Sequence, residues 1–358
     1  MSKVFIIIVN YNSWHDTLEC LESLKKITYP NFSILIIDNN STDNSLRKLN
    51  EYKQKRHNSL FIIHNSKNLG FAGADNIGIK KALEKKADYV LLLNPDTIVE
   101  PDFLDKLVET AEKSKQQGKL AFFGPRIYLK TENSKLKTPQ IYSNGGIINW
   151  SQTKGTLKDY GKSASEVKET EPFETDYVSG TSVLISKELI EKVGLMREDY
   201  FLYYEDTDWA IRARKQGIAS VIVPQSIIWH KMSTSTLGGS PDYFKRSDLP
   251  AEASAQAGKQ GSPSIISERR AILELMRGSY IYYHVRNGLY CGWRNGNVLQ
   301  KIAVLGLTKW IFIKQPLKFL IPSLTSGASV LRRQSRKWAK PVMKAVIDFW
   351  RGKTGKIK

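Results

Sequence analysis

The sequence has only two cysteines among its 358 residues, Cys20 and Cys291. Two cysteines so far apart in the chain form neither a disulfide framework nor a zinc-ligand spacing, so both kinds of small scaffold are excluded. Their scarcity fits a reducing compartment such as the cytoplasm.

Long apolar runs are also missing. A membrane-spanning helix needs roughly 20 predominantly apolar residues, and no stretch of this chain reaches that length. The first apolar run, Val4–Val9, is too short for the apolar region and cleavage site of a secretory signal peptide. We therefore expect a cytoplasmic protein.

Acidic residues are scarce in the last quarter of the chain. Residues 271–358 contain 17 Lys and Arg residues but only 2 acidic residues. The first 270 residues contain 37 Lys and Arg residues and 33 acidic residues. The net charge of +19 therefore comes mainly from the C-terminal region. A basic region of this kind predicts an anionic partner, either a membrane surface or nucleic acid.

What the sequence does contain is an alternation of apolar runs and helical patterns. The apolar runs that predict strands are Val4–Val9, Phe32–Ile37, Leu60–His64, Tyr89–Leu93, Ala121–Arg126, Tyr177–Ile185 and Ala219–Val223. The segments with helical periodicity are Trp14–Lys26, Ser45–Lys55, Ala74–Lys86, Asp102–Lys115, Lys187–Val193 and Asp206–Gln216. This order predicts an α/β fold with a Rossmann-like, mostly parallel central sheet flanked by helices, followed by a basic helical extension.

Polar side chains follow the first two predicted strands. Asn10 and Tyr11 come after the first strand, and Asp38 and Asn39 come after the second. Open α/β sheets bind ligands at the carboxyl ends of their strands, so these side chains should meet at one edge. Tyr11 offers a flat ring to a nucleobase, and Asn39 offers donors and an acceptor to a base edge. The alternative interpretation is two ordinary turns.

A segment with several glycines, Asn68–Gly78, leads into the third predicted helix. Glycines at a helix start allow a diphosphate to approach backbone amides. The spacing differs from the dinucleotide fingerprint GxGxxG. Tight packing of the helix start is an equally good interpretation.

The triplet Asn94-Pro95-Asp96 follows the fourth predicted strand, and Pro95 ends that strand because it removes a backbone donor. A divalent cation on a diphosphate needs one or two carboxylates besides phosphate oxygens. Asp96 can supply one, assisted by Asn94, and His230 is a candidate imidazole ligand. A turn and a structural histidine are the alternatives.

Three acidic residues, Glu205, Asp206 and Asp208, open a predicted helix directly after the aromatic run Tyr200–Tyr204. Acids at a helix N-terminus are favoured by the helix dipole, which is the structural explanation. The preceding aromatic and apolar residues favour a catalytic one. Apolar surroundings raise the proton affinity of a carboxylate, which suits a general base.

These motifs together resemble the inverting family 2 glycosyltransferases, which have the GT-A fold. The order is Val-Asn-Tyr-Asn, Asp-Asn-Asn-Ser-Thr-Asp, Asn-Leu-Gly-Phe-Ala-Gly, Asn-Pro-Asp, Glu-Asp-Thr-Asp-Trp and a trailing His, within about residues 3–232. The Asn-Pro-Asp and Tyr-Tyr-Glu-Asp-Thr-Asp-Trp motifs are most similar to those of the rhamnosyltransferase-like branch, which builds bacterial surface polysaccharides. The resemblance implies inverting transfer of a sugar from a nucleotide sugar, dTDP-rhamnose or a UDP-sugar, to a hydroxyl of a glycan or lipid-linked acceptor.

The resemblance also implies roles for individual residues. The implied nucleotide-sugar-binding residues are Asn10, Tyr11, Asp38, Asn39, Asn68, Gly70, Asn94 and Asp96. The implied acceptor-binding residues are Ser179, Gly180, Thr181, Asp208 and Trp209. Asp206 would be the catalytic base, with Glu205 as the second candidate. Asp96 and His230 would hold Mg²⁺ or Mn²⁺ on the donor diphosphate. Many members carry Asp where this chain has Asn39 and Asn94.

The implied domain plan has three parts. Residues 1–232 would form the GT-A domain, with a nucleotide-sugar half at about 1–120 and an acceptor half at about 121–232. Residues 233–270, rich in Ser, Gly, Ala and Lys, would form a flexible loop or lid. Residues 271–358 would form a basic, aromatic helical extension.

The extension has two interpretations. Basic residues mixed with aromatics suit a helix lying in an anionic lipid interface, at the cytoplasmic face of a membrane that carries the acceptor. The alternative is a helical subdomain packed on the catalytic domain, and contact within an oligomer stays open. Nucleic acid is not expected as a partner, because no DNA- or RNA-binding motif accompanies the charge. For the whole chain, a non-catalytic nucleotide-sugar or polysaccharide-binding protein is the competing function.

Overall fold

The computed structural model describes residues 1–55, 60–130, 138–231, 278–320 and 341–357. The strands of these segments are β1 Val4–Asn10, β2 Phe32–Asp38, β3 Leu60–His64, β4 Tyr89–Leu93, β5 Thr97–Val99, β6 Ala121–Leu129, β7 Ile141–Ser143, β8 Gly146–Asn149, β9 Lys154–Leu157, β10 Phe173–Thr175, β11 Ser182–Ser186 and β12 Ala219–His230. The helices are α1 Trp14–Leu24, α2 Ser45–Lys55, α3 Gly70–Glu84, α4 Phe103–Gln116, α5 Lys187–Val193, α6 Glu205–Arg214, α7 Gly278–Asn295 and α8 Val298–Leu320. Residues 341–350 are also helical, and 3-10 turns span Ala164–Glu166 and Glu198–Tyr200.

The central sheet has the strand order β10-β12-β6-β11-β4-β1-β2-β3. Strands β3, β2, β1 and β4 are parallel, as are β6 and β12. Strand β11 runs antiparallel between β4 and β6. The predicted α/β class with a mostly parallel sheet is therefore confirmed.

The central strands divide their side chains between two cores. Ile6 and Ile8 face a core that includes residues of α1 and α4, whereas Phe5 and Ile7 face a core that includes residues of α3 and α6. All four side chains are buried. Each such side chain stabilises the fold by about 1.5–3 kcal/mol relative to an exposed one. Burial on both faces explains why these strands are apolar throughout rather than alternating.

The described part of the C-terminal extension packs on the α/β domain through a third core. Tyr200 and Tyr204 pack there with Leu289 and Tyr290 of α7 and with Val304 of α8. The extension therefore contacts the segment that precedes α6. Within the described segments, no helix combines the length and the apolar character that crossing a bilayer requires. The predicted loop or lid at 233–270 lies outside the described residues.

Two predicted boundaries on either side of the site were wrong. Helix α3 begins at Gly70 rather than at Ala74. Strand β11 begins at Ser182 rather than at Tyr177, and the preceding residues form a loop. In both places small residues allow close approach to another segment, which a count of apolar positions does not detect.

The second half of the sheet also contains strands that periodicity did not predict. Strand β12 continues to His230 instead of ending at Val223, with a register shift between Val223 and Ile227 that accommodates Pro224. Strand β5 pairs with the end of β12. Four short strands, β7 to β10, lie between Ile141 and Thr175, and β8 and β9 form an antiparallel pair.

Candidate active site

The carboxyl ends of β1, β2 and β3 carry a hydrogen-bonded polar row. Asn10 pairs in register with Asp38, and Asp38 pairs with His64. Asn10 Nδ2 donates to Asp38 Oδ1 at 2.9 Å, and His64 Nδ1 lies 2.8 Å from Asp38 Oδ2. The Ser41 hydroxyl also donates to Asp38 Oδ1, at 2.6 Å. The predicted meeting of these side chains at one edge is thus what the structure shows, and Asp38 is fixed by several partners. Tyr11 lies beside this row and is partly exposed.

Asn39 is 3% exposed, and both the nitrogen and the oxygen of its side-chain amide form hydrogen bonds within the protein. Its Nδ2 donates to Asn68 Oδ1 and to the Gly70 carbonyl, both at 3.1 Å. Its Oδ1 accepts from Asn65 Nδ2 at 3.1 Å and from the Leu69 amide at 3.0 Å. Asn39 therefore ties the end of β2 to the start of α3.

The start of α3 fits closely against the segment before α6. The Phe71 amide donates to the Phe201 carbonyl at 2.8 Å. Gly70 has φ +76°, and a Cβ there would lie 2.2 Å from the Phe201 carbonyl oxygen. Only glycine fits both demands. The Gly70 amide donates to Asn68 Oδ1 at 2.9 Å, so these first amides of α3 are used inside the protein. The contact of Asn68 and Gly70 with donor phosphates stays a prediction.

Asp96 and His230 are brought together by the pairing of β5 with β12, in which His230 lies opposite Thr97. His230 Nε2 is 3.1 Å from Asp96 Oδ1, and both side chains are fully buried. His230 Nδ1 has no hydrogen-bond partner among the described residues. The His230 ring also packs on Tyr142, with centroids 4.4 Å apart. Asn94 lies at the start of the turn that joins β4 to β5. The backbone amide of Asn94 donates to the Thr181 carbonyl at 2.9 Å.

This pair fits a divalent cation that is shared with a substrate. Among the residues that the structure describes, no group of three or more His, Cys, Asp or Glu side chains could hold a metal ion. Mg²⁺ commonly binds proteins through one or two carboxylates plus substrate phosphates. Asp96 would supply one such carboxylate and His230 an imidazole, and a donor diphosphate would supply the other ligands, so this metal site stays a prediction.

Three residues with positive φ precede the acidic helix start. Phe201 has φ 68° and ψ −53°, and Tyr203 and Tyr204 have φ 67° and 73°. The Phe201 values are close to the rare γ-turn with positive φ. Non-glycine residues held this way cost about 1–3 kcal/mol each. A segment with three of them in four positions must be held by its surroundings.

Asp206 is the second residue of α6, separated from this strained segment only by Glu205. Its Oδ2 accepts from the Gly180 amide at 2.9 Å, and its Oδ1 accepts from the Thr207 amide at 2.6 Å. Removal from water raises the pKa of Asp206, and these hydrogen bonds oppose the rise. A Cβ on Gly180 would lie 3.3 Å from Asp206 Oδ2 and 3.4 Å from the Phe71 ring. The predicted base, the Ser179–Thr181 loop and the start of α3 therefore meet at one place.

Glu205 is more deeply buried than Asp206. Removal from water raises the pKa of Glu205 well above its ordinary value, and the nearby Asp206 charge adds to the rise. Its Oε2 has no hydrogen-bond partner among the described residues. Such a carboxyl favours its neutral form, so Asp206 is the better candidate for a group that must accept a proton.

Asp208 and Trp209 do not reach the acceptor side. Asp208 accepts from the Tyr200 hydroxyl at 3.0 Å, from Arg212 Nε at 2.9 Å and from Asn295 Nδ2 at 2.7 Å. Trp209 is 2% exposed and lies in the second core. We correct the expected role of both residues, because the helical period turns these positions of α6 inward. They hold the helix that carries Asp206.

The extension contributes rings that sequence reasoning did not assign to the site. His284 of α7 packs on Tyr203 and Tyr280, with ring centroids 4.3 Å and 4.1 Å apart. Removal from water, together with the Lys154 charge, lowers the pKa of His284 to about 4, so this ring is neutral at physiological pH. The only sequence signal was the aromatic run around residue 280. It did not indicate which surface the run contacts.

The fold and this arrangement define a class of protein: a GT-A glycosyltransferase, with its polar residues at the carboxyl edge of the sheet. The fold is similar to the solved structure of GalNAc-T7 with UDP, GalNAc and Mn²⁺, with a TM-score of 0.58 and 18% sequence identity. The alignment covers 99% of this chain and 58% of the GalNAc-T7 chain. At that identity the likeness shows the fold alone. The sequence profile of glycosyl transferase family 2 matches residues 5–194, which is more than half of the chain. The chain belongs to this family, as its motifs predicted.

Curated relatives include rhamnosyltransferases. The chain is 24% identical over 237 residues to the dTDP-rhamnosyl transferase RfbF of Shigella flexneri, covering 66% of this chain and 71% of the relative. It is 27% identical over 248 residues to the N-acetylglucosaminyl-diphospho-decaprenol L-rhamnosyltransferase of Mycobacterium tuberculosis, covering 64% and 76%. Both alignments leave out about a third of this chain. The predicted likeness to the rhamnosyltransferase branch is confirmed.

Proposed function

We propose that this protein transfers a sugar from a nucleotide sugar to an acceptor hydroxyl with inversion, using Asp206 as the base. The observation that carries the proposal is the Asp206 carboxylate. It is held by the Gly180 and Thr207 amides where α6, the start of α3 and the loop before β11 meet, and its pKa is raised by burial. A raised pKa brings a carboxylate closer to the range in which general bases work best.

The chemical step needs one base and one leaving group. Asp206 takes the proton of the acceptor hydroxyl as its oxygen bonds to the anomeric carbon. The bond from that carbon to the diphosphate oxygen breaks on the opposite face, and the electron pair leaves with the nucleoside diphosphate. Because a single displacement inverts the anomeric carbon, no second carboxylate is required as a nucleophile.

The donor would lie along the edge formed by β1, β2 and β4. Tyr11 would face the nucleobase, and Asp38, held by Asn10 and His64, would bind the ribose. Asn39 keeps the start of α3 in place, because its amide is already used. We favour dTDP-rhamnose as the donor, and a UDP-sugar as the alternative, because curated relatives carry rhamnosyltransferase names.

Asp96 and His230, with Asn94 beside them, would hold Mg²⁺ or Mn²⁺ against the donor diphosphate. The cation would stabilise the negative charge that develops on the leaving group. The Ser179–Thr181 loop would line the acceptor side, since its Gly180 amide contacts Asp206. The acceptor would be a glycan or a lipid-linked glycan, as the name of the mycobacterial relative indicates for that protein.

The test is a transfer assay with dTDP-rhamnose and UDP-sugars, with Mg²⁺, Mn²⁺ or EDTA, and with free and lipid-linked glycans as acceptors. Mass spectrometry should detect a glycosylated product, and NMR should show an inverted anomeric configuration. Asp206→Asn should abolish the product while donor binding persists. Nucleotide-sugar binding without turnover by the unmodified protein, with every acceptor, would favour the non-catalytic binding function instead.

The extension offers a surface suited to an anionic membrane. Four apolar side chains on one face of α8 are exposed, and they are Val298 at 74%, Leu299 at 75%, Ile302 at 57% and Trp310 at 50%. They recur at helical spacing, and Lys301 and Lys309 lie among them. Apolar side chains with lysines between them bind the interface of anionic lipids. We propose that this face meets the membrane that carries the acceptor.

Vesicle sedimentation tests this face. The protein should bind vesicles containing an anionic phospholipid, and less so at high salt or with purely zwitterionic lipid. Ile302→Ser should weaken binding. Ile147→Ser removes an isoleucine that is 49% exposed on β8, outside α8, and serves as the matched control. Equal effects of the two substitutions would refute the surface. The domain plan, with residues 1–232 as the catalytic part, stays a proposal alongside it.

A further inference from the structure

We propose that Asn287, assisted by Arg286, is a positioning residue for the transfer reaction, because it holds the strained segment 200–204 that places Asp206. The inference rests on the proposed function. It assigns a catalytic purpose to the C-terminal extension, which neither its charge nor its aromatic content indicated.

The segment needs an external support. Phe201, Tyr203 and Tyr204 all have positive φ, a conformation that side-chain-bearing residues rarely adopt. The segment is followed directly by Glu205, the first residue of α6. Any relaxation of these dihedral angles would therefore move the start of α6, and the Asp206 carboxylate with it.

The support comes from one buried amide. Asn287 Nδ2 lies 3.0 Å from the Tyr200 carbonyl oxygen, 2.8 Å from that of Leu202 and 2.9 Å from that of Tyr203. An amide nitrogen carries two hydrogens, so the three carbonyls share them. Three carbonyl dipoles repel one another when they converge. The donor at their centre makes the turn possible.

Arg286 fixes the orientation of this amide. Its Nε donates to Asn287 Oδ1 at 2.9 Å, and its Nη2 donates to the same Tyr200 carbonyl at 3.0 Å. Nη1 donates to the Gly355 carbonyl at 2.8 Å. Both Arg286 and Asn287 are buried, so neither serves as a surface contact. The pair thus connects α7 to the segment before the candidate base.

The other carbonyls of the segment have separate donors. The Phe201 carbonyl accepts from the Phe71 amide, and the Tyr204 carbonyl accepts from the Asp208 amide at 2.8 Å. Asn287 is therefore the shared donor for carbonyls that α3 and α6 do not reach. Without it, the Leu202 and Tyr203 carbonyls would lose this donor, the Tyr200 carbonyl would keep only Arg286, and the segment would relax toward ordinary dihedral angles.

The test compares Asn287→Leu with Asn297→Leu in the full chain. Asn297 caps α8 by accepting from the Gln300 amide at 2.9 Å and does not contact segment 200–204, so its replacement lowers stability without touching this turn. At equal folded fraction we expect Asn287→Leu to lower kcat by about 100-fold. KM for the donor should stay unchanged. Because the loosened carboxylate becomes more solvated, the acid limb of the pH–rate profile should move to lower pH.

Hydrogen exchange measured by mass spectrometry gives a readout that does not depend on activity. Peptides covering residues 200–206 should exchange faster in Asn287→Leu than in Asn297→Leu, while β1 stays protected in both. If Asn287→Leu does not fold, Asn287→Ser retains one donor and should show smaller changes in the same direction. Equal exchange and equal kcat in the two Asn→Leu variants would overturn the proposal. Absence of transfer by the unmodified protein would defeat the proposed function, while the exchange data would still decide whether Asn287 holds the segment.

Discussion

The two sides of the candidate site are held in opposite ways. On the donor side, Asn10, Asp38 and His64 follow directly from parallel strands, and register alone places them side by side. On the catalytic side, Asp206 follows a segment with three residues of positive φ. That segment depends on α3 at one contact and on α7, from the C-terminal extension, at another.

This difference predicts which substitutions the site should tolerate and which should displace its side chains. A side chain at the end of a buried strand loses its place only if the sheet is disrupted. A side chain after a strained turn loses its place when any one support is removed. Substitutions on the catalytic side should therefore affect turnover, and substitutions on the donor side should affect donor binding and stability.

The largest effect should follow from Asp206→Asn. An amide cannot accept the acceptor proton, so kcat should fall by about 10²–10⁴-fold. Donor affinity, measured by titration, should not change, because the donor side is held separately. Asp102→Asn changes an exposed aspartate before α4 and is the matched control. If Glu205→Gln abolished transfer and Asp206→Asn did not, the assignment of the base would be reversed.

The contact between the two sides should be the next most sensitive. Gly70→Ala places a Cβ 2.2 Å from the Phe201 carbonyl oxygen in a backbone with positive φ. We expect it to destabilise the fold by about 2–4 kcal/mol and to lower kcat. Gly118→Ala has a similar φ, +72°, with nothing within 4 Å of the added Cβ, so it isolates the backbone cost of about 1 kcal/mol. Urea denaturation of both variants measures the difference, and equal losses would show that the close approach is unimportant.

On the donor side, Asn39→Leu should act mainly on stability and donor binding. It removes four hydrogen bonds, two of them to groups of the buried residues Asn65 and Gly70, so the free energy of unfolding should fall by about 1–3 kcal/mol. Affinity for the nucleotide sugar should fall as well, since the start of α3 is released from β2. Asn50→Leu, at an exposed position of α2, controls for the change of residue type. A loss of kcat in Asn39→Leu, without loss of stability or donor affinity, would contradict the separation of the two sides.

The pH dependence of turnover should report the buried base. Burial raises the pKa of Asp206, and only the ionised form accepts a proton. The rate should therefore fall as pH drops through that raised pKa, so the acid limb should lie above the ordinary aspartate value of about 3.9. A kcat profile at saturating substrates measures this limb. An acid limb at or below the ordinary aspartate pKa would show that the base is exposed to solvent.

The smallest effect should be one of stability. The folded-state pKa of Glu205 is raised, so Glu205 favours the folded state while protonated, and this contribution is lost as pH rises from the unfolded pKa through the folded one. Glu205→Gln stays neutral throughout. Its free energy of unfolding relative to the unmodified protein should therefore be more favourable at pH 8 than at pH 5. Thermal or urea unfolding at the two pH values tests the sign, and the opposite trend would show that Glu205 is ionised and well paired.

Much of the donor side was predictable from the sequence. Apolar runs ending in Asn10, Asp38 and Asn94 indicated buried parallel strands, and parallel strands bring their carboxyl ends to one edge. Most strand and helix positions up to Gln116 agree with the prediction within a few residues. The exceptions are β5, which was not predicted, and the start of α3, where close packing of Gly70 rather than periodicity sets the boundary.

The catalytic side was predictable in its chemistry and not in its geometry. The acidic helix start after the aromatic run indicated Asp206 as a candidate base, and that role stays a prediction. Helical position alone did not show that Asp208 and Trp209 turn inward. The contact of α7 with segment 200–204 joins residues more than 80 positions apart, and no local pattern encodes such a contact. The contact on which the proposed role of the extension rests could therefore be seen only in the folded structure.

A double-mutant cycle with Asp206→Asn and Asn287→Leu tests most directly whether the extension acts through the base. Transfer rates would be measured for both single variants and the double variant at equal folded fraction. We predict that Asn287→Leu lowers kcat strongly when Asp206 is present and has no further effect once Asp206 is replaced. Two effects that multiply would show that Asn287 does not act through Asp206 and would contradict its role as a positioning residue.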